Sequence, residues 1–252
     1  MTRASALPVG LARLLVVAGL ILAWEVVVRM WGDPMFVASP SQVLVMIRQL
    51  LADPAVMAAL GVALVQIVIA FVLAGSIGTV IGIALGSSPL MRASILQIVF
   101  VCYALPQSVF MPLFILFAGI GPEAKVAYGF THGVFAVILA VSAGVQNIDP
   151  LLLKAARSMG ASREQILTSI VLPHLVPSLF TALRLCMTGV ILGVLLAELY
   201  VSLHGIGHFT RRATETFDPP RLFALVSLLA AMAVMLNGLC RIAEARFSRW
   251  HH

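Results

Sequence analysis

Long apolar runs separated by short polar segments dominate the chain. Six of these runs approach or exceed the roughly 20 residues that a helix needs to cross a bilayer. They cover approximately residues 11–30, 58–86, 95–118, 126–145, 178–203 and 222–242. We therefore predict an all-α, polytopic membrane protein of six transmembrane helices, forming a single domain over residues 1–252.

The first apolar run has two interpretations. Arg3 and Arg13 precede an apolar core, as in a secretory signal peptide, and Val37-Ala38-Ser39 is similar to a cleavage site. That site lies well beyond the apolar core, however, and the run continues past Trp24 to Val28. We expect the run to be a retained transmembrane helix.

The second run carries glycines at Gly75, Gly78, Gly82 and Gly86, and the last three form two overlapping GxxxG pairs. Small residues four positions apart allow two helix backbones to approach closely in a membrane. The pattern predicts helix packing. A serine hydrolase is not indicated, because the run lacks the GxSxG spacing and contains no histidine.

The segment 149–173 lies between the fourth and fifth runs and is charged and helical. Asp149 is suited to an N-cap and precedes Pro150, so we predict a short helix that ends at Arg157. Gly160 follows at the position where a left-handed residue is favoured. A second helix begins with a capping box over 162–165, and we expect Pro173 to stop it after Leu172.

Two interpretations of this helix-turn-helix stay open. Ile166, Leu167, Ile170 and Val171 form one apolar stripe, which is typical of an amphipathic loop lying on lipid headgroups. The small residues beside Gly160 favour instead a close approach by another protein.

The composition supports a membrane protein, and the positive net charge is interpreted in that context. The chain is 61% hydrophobic and only 10% charged, too little to coat a soluble fold. Its net charge of +6 is dispersed between apolar runs, which indicates membrane orientation and anionic headgroups and no nucleic acid. Nine Lys and Arg residues fall on the N-terminal side of the membrane and six on the other. We therefore expect both termini and segment 149–173 to be cytoplasmic.

Metal and disulfide chemistry is not indicated. Cys102, Cys186 and Cys240 all lie in apolar runs, where we expect small buried residues. His204 and His208 are four apart, but the glycines between them weaken any helix that would bring them together, so we expect no metal site.

The segment from Lys154 to Pro173 reads KAARSMGASREQILTSIVLP. It resembles the EAA loop of binding-protein-dependent ABC importer permeases, in which EAA is followed by a glycine and then by I-x-LP. The stretches FVASPSQVL, FAGIGPEAK and AELYVSLHGIGHFTRRA resemble the sulfonate, nitrate and taurine branch of that family. The resemblance extends over most of the chain, from about Trp24 to Trp250.

This resemblance implies a permease subunit of an ATP-driven importer in the inner membrane. It also implies partners: a second copy of the permease, two copies of an ATP-binding subunit and an extracytoplasmic solute-binding protein. ATP and Mg would be held by the ATP-binding subunit, and we expect no cofactor in this chain. The chain has no GxxxxGK[ST] sequence and is therefore not expected to be an enzyme.

The resemblance also assigns residues. Contact with the ATPase falls on Lys154, Ala155, Ala156, Gly160, Ala161, Ile170, Leu172 and Pro173. Lys154 departs from the family pattern, which has Glu there, so the charge at the docking helix is reversed.

Several charged residues lie within or beside the spans. Arg184 and Glu198 share one face of the fifth span about 21 Å apart, too far to pair directly. Arg184 either lines the translocation path or lies near the cytoplasmic end of the span, where its side chain reaches the interface. Glu198 either lines the translocation path or makes an interhelical contact, and we expect an interhelical contact for Glu25. The segment 211–221 is either a contact for the solute-binding protein or a solvated loop.

Two other functions stand as alternatives, a secondary transporter and an intramembrane enzyme or channel. A secondary transporter would show inverted repeats and interrupted helices with acidic residues at mid-membrane, and no such repeat is evident. An intramembrane enzyme or channel would need a nucleophile, a metal cluster or a selectivity sequence, and none is evident.

Overall fold

A computed structural model describes residues 9–202 and 205–248, and every regular element within those ranges is helical. The helices in chain order are α1 Val9–Trp31, α2 Pro40–Ala52, α3 Pro54–Ser87, α4 Pro89–Met91, α5 Gln97–Ala104, α6 Met111–Ala118, α7 Pro122–Gln146, α8 Pro150–Ser158, α9 Arg163–Ile166, α10 Leu172–Val201, α11 Ile206–Glu215 and α12 Pro219–Ser248. π-Helical turns cover Arg92–Leu96 and Leu167–Val171, and a 3-10 turn covers Gln107–Phe110. The prediction of an all-α fold is confirmed.

Five helices of the described chain are long and apolar enough to cross a membrane, and a bent pair of helices makes a sixth span if it is counted as one. The five are Gly10–Trp31, Pro54–Ser87, Pro122–Gln146, Arg163–Tyr200 and Pro219–Arg246. The first apolar run is therefore helical throughout, and its retention in the mature protein stays a prediction.

The third predicted span is not one straight helix. Pro89–Ala104 and Gln107–Ala118 meet at an angle of 86°. Leu105 ends α5 in an extended conformation, with φ −67° and ψ 139°, and Pro106 follows it. The proline ring disfavours helical geometry in the preceding residue, so the break falls at this dipeptide although hydrophobicity continues across it.

The expectation that Pro173 stops the second helix of segment 149–173 is wrong. The helix continues from Arg163 to Tyr200, a length of 38 residues, with Pro173 inside it. The π turn Leu167–Val171 precedes the proline, and the Leu172 amide donates to the Leu167 carbonyl, five residues back. A π turn widens the helix by one residue, which gives the proline ring room beside the preceding turn.

The chain divides into two compact units. The first contains 9–58 and 208–230, and the second contains 59–207 and 231–248 within the described residues. In the first unit, Glu25 accepts hydrogen bonds from the Ser41 amide at 2.9 Å and from the Ser41 hydroxyl at 2.8 Å. It also pairs with Arg29 at 2.6 Å. Glu25 therefore joins α1 to the beginning of α2, which confirms the expected interhelical contact.

In the second unit, the glycine stripe of α3 packs directly on α7. A Cβ placed on Gly78, Gly82 or Gly86 would lie 2.7, 2.8 or 2.6 Å from the Cβ of Val137, Val141 or Val145 respectively. Each would also lie within 3.1 Å of an α7 main-chain carbonyl. The predicted close approach of two backbones is confirmed, and α7 is the partner helix.

Substituting valine at Gly82 should destabilise the protein by about 1–3 kcal/mol, because the added atoms would overlap Val141 and force α3 away from α7. Gly61→Val on the same helix is the matched control, since a Cβ there meets nothing within 4 Å. The measurement is thermal unfolding of the two purified variants in one detergent. Equal losses of stability at both positions would contradict tight α3–α7 packing.

Candidate functional site

The segment 149–173 begins as its sequence predicts. The Asp149 carboxylate accepts a hydrogen bond from the Leu151 amide at 2.8 Å, and Pro150 is the first residue of α8. An acceptor at the N-cap satisfies one of the amides that an α-helix leaves without an internal partner. The helix covers Pro150–Ser158 and so ends one residue beyond the predicted end at Arg157.

A Schellman motif ends α8. Gly160 has φ +82°, in the left-handed region. The Ala161 amide donates to the Ala156 carbonyl at 3.0 Å, and the Gly160 amide donates to the Arg157 carbonyl at 3.0 Å. These are the two bonds that define the motif. The predicted left-handed turn is confirmed, and its geometry fixes the angle at which the chain leaves α8.

The second helix starts with the predicted capping box. The Ser162 hydroxyl accepts from the Gln165 amide at 3.2 Å, and the Gln165 side chain accepts from the Ser162 amide at 2.8 Å. From this cap the helix runs into α10 without interruption. The helix-turn-helix is therefore continuous with a long apolar span.

Within residues 9–202 and 205–248, no element covers the outer face of α8. Ala156 is buried, and Leu151 and Lys154 lie on the opposite side of the helix. Leu151 is 70% exposed and Met159, just after the helix, is 81% exposed. Large apolar side chains exposed beside basic ones are typical of a surface that binds another molecule.

The apolar stripe of the second helix is only partly covered. Val171 is buried, Ile166 and Ile170 are half-buried, and Leu167 is 38% exposed. Ala155, Gly160, Leu172 and Pro173 are exposed, and Ala161 is half-buried. Most residues of the predicted contact are therefore exposed, whereas Ala156, which belongs to that set, is turned inward together with Val171.

Arg184 and Glu198 each have a different partner, and they do not pair with each other. Arg184 lies well inside the continuous helix, and its Nη1 is 3.1 Å from Glu244 Oε2 on α12. This ion pair joins α10 to α12, and the reach of Arg184 to the cytoplasmic interface stays a prediction. Glu244 had no role in the sequence-based prediction, because it stands near the end of an apolar run with nothing to connect it to Arg184.

Glu198 is the centre of a buried polar network. Lys125 Nζ on α7 donates to Glu198 Oε1 at 2.7 Å and to the Ser202 hydroxyl at 2.6 Å. The Ser202 hydroxyl donates to Glu198 Oε2 at 2.6 Å, and the Gly207 amide donates to the same oxygen at 3.2 Å. The Lys125 and Glu198 side chains are 5% and 1% exposed. A buried ion pair is tolerated when hydrogen bonds satisfy its remaining polar atoms, as they do here.

Sequence reasoning missed Lys125, which it placed in a polar loop. The available indication was its position directly before the fourth apolar run, at the end of the stretch FAGIGPEAK. An ionisable residue at such a position usually faces protein or water. Its partner could not be identified, because Glu198 is 73 positions away.

No cluster of three or more His, Cys, Asp or Glu side chains suited to a metal ion occurs within residues 9–202 and 205–248. Cys102, Cys186 and Cys240 are free thiols, and Cys186 is buried. His204, which stands four positions before His208 in the sequence, lies outside the described residues.

The fold and the loop define a class: a helical, multi-pass membrane protein with a capped helix-turn-helix fused to one span. The chain belongs to the family of binding-protein-dependent transport system inner membrane components, whose model matches residues 77–249. The resemblance stated from the sequence is thereby confirmed, and the chain is a permease-type transport protein of the inner membrane.

Curated relatives extend over nearly the whole chain. The taurine transport system permease protein TauC of Escherichia coli is 28% identical over 233 residues, which are 90% of this chain and 85% of TauC. The formylaminopyrimidine transport permease protein ThiX of Halalkalibacterium halodurans is 24% identical, covering 86% of each chain. The putative aliphatic sulfonates transport permease protein SsuC of Bacillus subtilis is 22% identical, covering 95% of this chain and 87% of SsuC.

The fold is also similar to a solved transporter. A chain of the MetNI methionine ABC transporter in an inward-facing conformation superposes with a TM-score of 0.63 at 20% sequence identity. The match covers 77% of this chain and 95% of that chain. At this identity the similarity establishes the fold alone.

Proposed function

We propose that the chain is the permease subunit of an ATP-driven importer, which moves a small polar solute inward by alternating access. The observation that carries this proposal is the capped helix-turn-helix of residues 149–173, continuous with the 38-residue helix Arg163–Tyr200. Such a rod can turn a movement of the loop into a movement of the span. The relatives favour taurine, an aliphatic sulfonate or a formylaminopyrimidine as the solute, and the resemblance stated from the sequence adds nitrate and other vitamin-precursor compounds.

The energy for transport comes from a partner, because the chain has no P-loop sequence. The partners are two copies of an ATP-binding subunit, which hold ATP and Mg, a second copy of this permease and an extracytoplasmic solute-binding protein. The whole chain acts as one permease domain, 1–252. Both termini and the loop 149–173 lie in the cytoplasm, in agreement with the bias of Lys and Arg.

Contact with the ATP-binding subunit is made by residues Lys154 to Pro173. Leu151 and Met159 add exposed apolar surface at the two ends of α8. Ala155 leaves room for close approach, and Gly160 sets the angle between the two short helices. Ile170, Leu172 and Pro173 lie where the loop passes into α10.

Arg184 and Glu198 remain the residues proposed for the translocation path. Both are ion-paired within this chain, Arg184 to Glu244 and Glu198 to Lys125. Direct contact with solute would therefore require either pair to open during the cycle.

Uptake by proteoliposomes tests the proposal. The permease and its ATP-binding subunit are reconstituted together, with the solute-binding protein outside and ATP inside. We expect uptake that requires ATP and persists when a protonophore dissipates the proton gradient. Uptake that needs no ATP and stops with the protonophore would replace this proposal by the alternative of a secondary transporter.

Lys154 supplies a prediction about the partner. Its side chain is exposed on the outer face of α8, and α8 carries no acidic residue beyond the N-cap Asp149. We expect Lys154→Glu to reduce ATP-driven uptake severalfold, because an acidic group of the ATPase that pairs with lysine would then face a like charge. Lys154→Gln, which removes the charge without reversing it, is the control. Equal uptake by all three chains would mean that this position contributes nothing to the contact.

A further inference from the structure

The carboxylate of Glu198 joins the end of one helix to the beginning of the next. It lies in the last turn of α10, and it accepts the amide of Gly207 in the first turn of α11 at 3.2 Å. An acidic group beside the amides at a helix N-terminus is favoured by hydrogen bonding and by the helix dipole. The orientation of the first turn of α11 thus depends on where α10 holds this carboxylate.

Two glycines at the beginning of α11, Gly205 and Gly207, lie close to Glu198. A Cβ on Gly205 would lie 2.5 Å from Glu198 Oε2 and 2.6 Å from the Ser202 hydroxyl. A Cβ on Gly207 would overlap the main-chain carbonyl of Glu198. Both positions therefore require glycine for close approach to α10.

Lys125 fixes the carboxylate from a third helix. Its Nζ donates to both Glu198 and Ser202, and all three side chains are buried. A buried charge that lost this partner would be strongly disfavoured, so the carboxylate is confined to one position.

The other end of the same rod is the helix-turn-helix. The continuous helix Arg163–Tyr200 spans about 57 Å at 1.5 Å per residue. It begins at the capping box of the loop and ends two residues after Glu198. A shift or rotation of this helix at one end must appear at the other unless the helix bends.

We propose that Glu198 is a positioning residue whose side-chain oxygen, by accepting from Gly207, carries movement of α10 into the first turn of α11. Binding of ATP to the ATP-binding subunit would thereby change the position of the segment 211–221. This is the segment that the sequence offers as a contact for the solute-binding protein. This inference rests on the proposed function, and it assigns to Glu198 a mechanical role that requires no contact with solute.

Two double variants separate the hydrogen bond to α11 from the ion pair. Lys125→Met with Glu198→Gln removes both charges and keeps an oxygen that can accept from Gly207. Lys125→Met with Glu198→Leu removes both charges and the acceptor. Replacing a buried ion pair by neutral side chains of similar size is often well tolerated, so both variants are suited to purification as the complex.

The readout is the rate at which a maleimide labels a cysteine in the permease–ATPase complex in nanodiscs, with and without ATP and vanadate. Cys102, Cys186 and Cys240 are first replaced by alanine. One reporter is Thr214→Cys, exposed on α11, and the other is Ser158→Cys, exposed on α8. Melting temperatures of the same samples report stability.

With Lys125 and Glu198 in place, we expect ATP to change labelling severalfold at both reporters. The Met/Gln variant should keep both changes, whereas the Met/Leu variant should keep the change on α8 and lose the change on α11. An α11 response that survives in the Met/Leu variant would overturn the inference. An α11 response missing from the unsubstituted pair, while α8 responds, would also overturn it and leave the proposed function standing. No response at either reporter would overturn the proposed function and the inference with it.

Discussion

Replacing Gly160 by valine is expected to reduce ATP-driven uptake by roughly tenfold or more. Gly160 has φ +82°, where an L-residue costs about 1–2 kcal/mol and a β-branched residue more, and each 1.4 kcal/mol is a factor of ten in an equilibrium. A Cβ at this position meets nothing within 4 Å, so the effect comes from the backbone conformation alone. The strained turn would change the angle between α8 and α9 and separate movement of the ATPase from movement of α10.

Two matched substitutions at the same position make this test specific. Asn visits the left-handed region more readily than other non-glycine residues, so Gly160→Asn should retain most of the uptake. Gly160→Ala should fall between Asn and Val. The measurement is uptake by proteoliposomes, with ATP hydrolysis recorded in the same samples. Unchanged uptake by Gly160→Val would contradict the role of this turn.

Removing one member of the buried ion pair should cost the most stability of any single change considered. In Glu198→Gln, the Lys125 ammonium stays buried at 5% exposure without its counterion. Breaking a buried pair in this way typically costs about 3–5 kcal/mol. We expect a large fall in the melting temperature of the purified protein.

The control adds Lys125→Met to Glu198→Gln. Because the second substitution removes the unpaired charge, the double variant should recover most of the lost stability. A double variant as unstable as Glu198→Gln, or a single variant as stable as the unsubstituted chain, would show that the charge is not confined as the structure indicates.

Features set by neighbours in sequence could be predicted. The Asp149 cap, the left-handed Gly160 and the Ser162–Gln165 capping box each depend on hydrogen bonds across two to five residues, and the structure has all three. The glycine stripe of α3 was also recognisable, because its four-residue spacing indicates that another helix packs against it. Its partner α7 was not, since any apolar helix would satisfy the pattern.

Two prolines show why the spans were harder to predict. Pro106 ends a helix, because Leu105 takes the extended conformation that a following proline favours. Pro173 lies within a helix, because the π turn Leu167–Val171 makes room for its ring. Both prolines lie in apolar sequence, so hydrophobicity does not distinguish them. What differs is the pattern of a few backbone hydrogen bonds beside each proline.

The ion pairs were beyond prediction for a different reason. Glu198 and Arg184 could be recognised as ionisable groups in a span, which must find a partner. Lys125 and Glu244 could not be assigned to them, because each pair joins helices whose relative rotation and depth depend on the packing of the whole bundle. The network around Glu198 therefore appeared only with the structure, and with it the connection from α10 to α11.

The most direct measurement is photo-crosslinking from the outer face of α8. A photoreactive residue replaces Leu151, which is 70% exposed, in cells that express the complete transporter. We predict that irradiation joins the permease to the ATP-binding subunit, and that no such crosslink forms when the photoreactive residue stands at Ile120, which is 52% exposed in the loop predicted to lie on the opposite side of the membrane. Crosslinks to lipid alone, or to the extracytoplasmic solute-binding protein, would contradict a cytoplasmic loop held by an ATPase.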